Sequence, residues 1–131
     1  MRYDAVEFEG MPKALGPWTQ GVRVGNLVFT AGMTALNDRG EIVGRGDIKA
    51  QTRQTLENVR MVLEAAGSSL DDVVKVTAWL TDLRNYGGYN EVYAEYFGPR
   101  FPPRATLQSP GLVPLEGLMV EIEAIAVVPE S

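Results

Sequence analysis

The stretch Val120 to Val127, VEIEAIAV, limits what this chain can fold into more than any other. Side chains along a strand alternate between its two faces. Val120, Ile122, Ala124 and Ala126 then form one apolar face, and Met119, Glu121, Glu123, Ile125 and Val127 form a mixed one. A solvated face would not carry Met, Ile and Val, and a core face would not carry two glutamates without partners. The pattern predicts a strand with one side on its own core. Its other side is partly buried against something outside the monomer, with a polar site set into it. A second predicted strand precedes it and carries Arg104 within FPPRATLQ. If the two pair as a hairpin, Arg104 lies close to the glutamates.

The rest of the chain supplies few other reactive groups. Its 131 residues contain no His and no Cys, which removes the commonest general base, the commonest metal ligand, thiol catalysis and disulfides. Chemistry must rest on carboxylates, Arg, Lys, Tyr, hydroxyls or the backbone. The net charge of −5, with no run of Lys or Arg, argues against nucleic acid or an anionic membrane as the partner. With 45% hydrophobic residues, a single domain spanning 1–131 can bury a core. No apolar run reaches the ~20 residues of a membrane span and no signal peptide opens the chain, so a cytoplasmic protein is expected.

Residues 3 to 9 alternate weakly and predict an edge strand. A Gly/Pro-punctuated loop follows, holding Trp18, which is either a packing residue or a pocket wall. GVRV, Gly25-Asn26 and LVFTAG read as a hairpin, and Asn37 to Gly40 as a turn. Within Arg45-Gly46-Asp47, Asp47 is expected to cap a helix from Ile48 to Ala66. Ile48, Thr52, Thr55, Leu56, Val59, Val62, Leu63 and Ala66 form its core face, with Gln51, Arg53, Glu57, Arg60 and Glu64 mostly opposite and Gly67 ending it. Val73 to Leu80 predicts a strand with Val74, Val76, Ala78 and Leu80 on one side. A second helix, Tyr86 to Phe97, carries an aromatic stripe and stops at Gly98-Pro99.

The expected fold is therefore α/β (α+β), a mixed sheet of about six strands with both helices on one face. The uncovered face would carry Arg104, Thr106, Glu121 and Trp79, and oligomerisation would cover it. Arg104 offers a planar fork that takes a carboxylate through two hydrogen bonds, unless it pairs structurally with Glu121 or Glu123. Burial would raise the pKa of Glu121 and a nearby Arg would lower it, so Glu121 is a candidate proton handler or an ion-pair member. Glu123 faces the same way, which leaves one of the two glutamates as a candidate for a purely structural role.

PPRAT followed by VEIEAIAV resembles the Rid family of imine/enamine deaminases, also called the YjgF or UK114 family. The resemblance runs along nearly the whole chain. Gly16-Pro17-Trp18-Thr19-Gln20, Phe29-Thr30-Ala31-Gly32, Gln51-Thr52 to Gly67, Asp72 to Lys75 with Asp82, and Asn90, Tyr93 and Phe97 match family segments in order. It implies a chorismate-mutase-like homotrimer with clefts between subunits. In them Arg104 would bind the carboxylate of an imino acid and Glu121 would position or activate water. Trp18, Ala31, Gly32, Asn90 and Thr106 would line the substrate site. The implied reaction hydrolyses a 2-imino acid, such as 2-iminopropionate formed from 2-aminoacrylate, to a 2-keto acid and ammonia, without metal or cofactor. Trp18, Ala31, Met33 and Thr106 depart from the family's usual Tyr, Ser, Gln and Cys and make the pocket less polar. A non-catalytic trimeric module binding small carboxylic acids is the alternative. Nucleic-acid action fits the acidic charge least.

Overall fold

The computed structural model describes residues 3–6 and 10–130. In chain order the elements are β1 (Asp4–Ala5), β2 (Gly21–Val24), β3 (Leu27–Thr30), α1 (Ile48–Ala65), β4 (Val73–Leu80), α2 (Tyr86–Phe97), β5 (Arg104–Gln108) and β6 (Val120–Val127). They build one mixed six-stranded sheet in the order β1-β2-β3-β6-β4-β5. The helices pack on one face over a core that includes Leu56, Val59, Val62, Leu63, Val76, Ala78, Leu80 and Ile122. β1 is the expected edge strand as far as Ala5, and residues 7–9 of that expectation lie outside the described residues.

Local chemistry accounts for the element ends. Gly25 turns the β2–β3 hairpin at φ 60°, a left-handed conformation that favours glycine. The Asp47 carboxylate accepts the Ala50 N–H at 3.1 Å and caps α1. At the other end of α1 the Ser68 N–H donates to Leu63 and the Gly67 N–H to Glu64, with Gly67 at φ 88°. That is a Schellman ending.

Two sequence expectations fail locally. Gln51 is fully buried rather than on the polar side of α1. Its amide donates to the carbonyls of Gly44 and Gly117 and accepts the Met119 N–H, so it ties the helix to the approach of β6. In β4 the pairing slips between Val73 and Lys75, which turns Val73 inward and leaves Val74 45% exposed. From Val76 onward the alternation holds as expected.

The larger correction concerns β5 and β6, which do not form a hairpin. β4, α2 and β5 form a crossover unit that returns β5 parallel to β4 on the outer edge, and β6 inserts between β3 and β4. Hairpin turns take about two to five residues. Ser109 to Met119 is instead a long crossing loop that buries Leu118 with Ala35 and Leu36 in a small cluster of its own.

Candidate functional site

The central position of β6 fixes the two faces expected for it, since its residues alternate between buried and half-buried. Glu121 lies opposite Trp79 of β4, and Glu123 opposite Thr77. Both carboxylates therefore stand on the face that the helices leave open. Among the described residues neither is within ion-pairing distance of a cation. Burial pushes the Glu121 carboxyl above the ordinary carboxylate range, and the charge of Glu123 adds to the rise.

Next to Glu121 the chain bulges. β3 pairs with β6 as far as Phe29, and pairing resumes only at Met33 opposite Ile122. Across the gap the Thr30 hydroxyl accepts the Ala124 N–H at 3.0 Å, in place of a backbone carbonyl. The bulge seats Gly32 against the carboxylate so closely that a Cβ there would lie 2.5 Å from Glu121 Oε2. Only glycine fits. Ala31, Gly32, Glu121 and Trp18 line one cleft, together with the exposed Lys13. Trp18 is 41% exposed, so it is a wall of this cleft and not a core residue. Its indole N–H donates to Gln20 Oε1 at 3.2 Å.

Arg104 stands in a second constellation. β5 runs in register with β4 so that Arg104 aligns with Val76 and Thr106 with Ala78, both on the helix-covered face. The expectation that Arg104 and Thr106 share the open face with Glu121 is thus overturned. Ala105 and Leu107 take the open face instead, beside Thr77 and Trp79. The Arg104 guanidinium donates to Asn90 Oδ1 and to the Tyr86 hydroxyl, each at 2.9 Å. It lies 5.6, 5.1 and 4.6 Å from the ring centres of Tyr86, Tyr89 and Tyr93. Each such contact contributes on the order of 0.5–2 kcal/mol. Tyr89 and Thr106 share a hydrogen bond of 3.2 Å. Asn90 and Arg104 hold the Tyr86 hydroxyl below the ordinary phenol range.

Among the described residues Arg104 has no carboxylate partner, so it forms no ion pair with Glu121 or Glu123 of its own subunit. Two of its five N–H donors are used by neutral oxygens. The remaining donors leave a cationic fork, seated among three tyrosine rings and without a carboxylate, at the border of two shallow clefts. A carboxylate ligand fits that state. No group of three or more His, Cys, Asp or Glu side chains that could hold a metal occurs among the described residues.

A family model described as Endoribonuclease L-PSP matches residues 8–128. The chain belongs to this family, the Rid or YjgF family. The Rid chain is 49% identical over 119 residues to a RutC family protein of Pyrococcus horikoshii, covering 90% of this chain and 92% of that one. It is 38% identical over 123 residues to the 2-iminobutanoate/2-iminopropanoate deaminase of Escherichia coli K12, covering 91% and 93%. The crystal structure of E. coli TdcF with bound serine superposes with a TM-score of 0.87 at 38% identity, covering 95% of this chain and 98% of that one. The mixed six-stranded sheet with two helices on one face is the expected fold, and these relatives share it.

The structure therefore gathers the expected residues into two groups. Trp18, Ala31, Gly32 and Glu121 form one, and Asn90, Arg104 and Thr106 form the other. Tyr86 belongs to the second group and was not legible as such. At the first position of α2 its ring reads as one more aromatic of the stripe. Gln20 and Asn58 also line the Glu121 cleft. Both stand within the family-like segments Gly16 to Gln20 and Gln51 to Gly67.

Proposed function

We propose that this Rid chain is a hydrolytic deaminase of 2-imino acids, acting as a homotrimer at clefts between subunits. In each cleft the Arg104 group of one subunit faces the Glu121 group of its neighbour. The observation that carries the reading is the pair of uncompensated charges. A guanidinium without a carboxylate and a half-buried carboxylate without a cation are each costly unless a ligand or partner completes them. The open sheet face, with Phe29 and Leu107 37% and 47% exposed around the glutamates, supplies the surface for assembly.

The chemistry follows from the two groups. Arg104 holds the substrate carboxylate through its free donors while Asn90 and Tyr86 fix the fork. Water attacks the imine carbon. Glu121, with its raised pKa, takes a proton from that water and passes it to the nitrogen as the C=N π bond opens to a carbinolamine. It then takes the carbinolamine hydroxyl proton and delivers it to the nitrogen as the C–N bond breaks and the carbonyl forms. 2-Iminopropionate and water then give pyruvate and ammonia. The nearby Gly32 N–H has no hydrogen-bond partner among the described residues and is free to donate to the developing oxyanion.

A binding module that holds a small carboxylic acid without turning it over is the second reading, favoured by the serine bound in the E. coli relative. Ribonuclease action, which the family description names, finds little support in a chain of net charge −5 without histidine. The test generates imines in situ with an amino acid oxidase and records 2-keto acid formation with and without the protein. Acceleration that falls by about 10²–10⁴-fold in Glu121→Gln supports the deaminase. Ligand binding without acceleration would leave the binding module.

A further inference from the structure

The Glu121 cleft is larger and less polar than the smallest imino acids need. Its volume is about 220 Å³, against about 30 Å³ for one water in the liquid. Leu15, Trp18, Met33, Leu36, Val113 and Pro114 supply most of its wall. Two amides that line it are largely committed to the protein itself. Gln20 donates to the Pro12 carbonyl at 2.8 Å and accepts from Trp18. Asn58 donates to the carbonyls of Thr34 and Leu36, both at 2.8 Å, and accepts from Gln54 at 2.9 Å. What remains is a mostly apolar chamber, with Glu121, Gly32, Thr34 and one N–H of Gln20 as its polar points and Lys13 exposed beside it.

We infer that the preferred substrates are 2-imino acids with long or branched apolar side chains, such as those derived from leucine or methionine, rather than the alanine-derived imine. This rests on the deaminase reading, which places the imine carbon beside Glu121. Once Arg104 holds the carboxylate and Glu121 meets the reacting carbon, the side chain has this chamber to enter. A methyl group would leave water against the apolar walls of Leu15, Trp18, Met33 and Leu36. An isobutyl or thioether chain would displace that water, which is favourable at an apolar wall. Leu15 and Val113, 47% and 76% exposed, form apolar lips that a bound side chain would cover.

The experiment compares imines made in situ from alanine, 2-aminobutyrate, leucine and methionine, alongside calorimetric binding of pyruvate and 4-methyl-2-oxopentanoate. The expected kcat/KM for the leucine-derived imine is at least about tenfold above that for the alanine-derived one. The six-carbon keto acid should bind tighter than pyruvate by a similar factor. Leu15→Asn and Val113→Asn, at exposed positions that leave the core untouched, should each lower the leucine-to-alanine ratio. A ratio at or below one in the parent, or one that neither variant moves, would overturn the inference. If no imine is hydrolysed faster yet 4-methyl-2-oxopentanoate binds tenfold tighter, the deaminase reading fails and the side-chain preference stands. Equal binding of the two acids by an active deaminase overturns the preference alone, and binding of neither overturns both.

Discussion

Arg104 and Glu121 lie on opposite faces of one sheet, separated by β4. Arg104 pairs in register with Val76 on the helix-covered side, and Glu121 with Trp79 on the open side. Strand alternation fixes this, so no side-chain rotation within one subunit turns the two toward a common point. A site that uses both must draw them from different subunits.

Arg104→Lys tests the fork. An ammonium cannot reproduce two parallel hydrogen bonds from one planar fork. The expected loss of affinity for a 2-keto acid is on the order of 2–5 kcal/mol, nearly that of Arg104→Ala. Calorimetry reads it, and near-native affinity in the lysine variant would count against carboxylate capture at Arg104.

Tyr86→Phe keeps the ring over which Arg104 sits and removes the hydroxyl it donates to. One hydrogen bond is lost from the fork, a net effect of about 1 kcal/mol. KM should rise about fivefold with kcat held. A fall in kcat at constant KM would show that the hydroxyl takes part in the chemistry instead.

Glu121→Gln should stabilise the isolated subunit at neutral pH. The folded state raises the Glu121 pKa, so it binds this proton more tightly than the unfolded chain does. The contribution of Glu121 to stability is then fully present below the unfolded-state pKa and is lost as pH rises through the folded-state one. Removing the ionisable group should raise Tm at pH 8 and leave it nearly unchanged at pH 3.5. A lower Tm at pH 8 in the variant would mean that a cation already compensates the carboxylate.

Much of this was legible before the coordinates. The alternation of Val120 to Val127, the Asp47 cap, the Gly25-Asn26 hairpin and both helices follow from short-range patterns that one stretch of chain decides alone. Strand order is different, because it depends on which surfaces compete for a partner. β6 has an apolar face long enough to claim the sheet centre, and β5, five residues with exposed Ala105 and Leu107, is left on the edge. A hairpin reading of two consecutive strands therefore put Arg104 on the wrong face. Gln51 was misread for a related reason. A helical wheel assigns an amide to water, while here the backbone groups of Gly44, Gly117 and Met119 replace water for it.

The most direct test of a site shared between subunits is complementation. Arg104→Ala and Glu121→Gln are purified separately, each with little imine hydrolysis, then denatured together, refolded at equal ratio and assayed. Random assembly of a cyclic homotrimer pairs an intact Arg104 with an intact Glu121 at about one cleft in four. The account predicts recovery of about a quarter of the parent rate, carried by a species of three times the mass of one chain in light scattering. Activity no higher than that of the separate variants, in a mixture shown to have exchanged subunits, would contradict it.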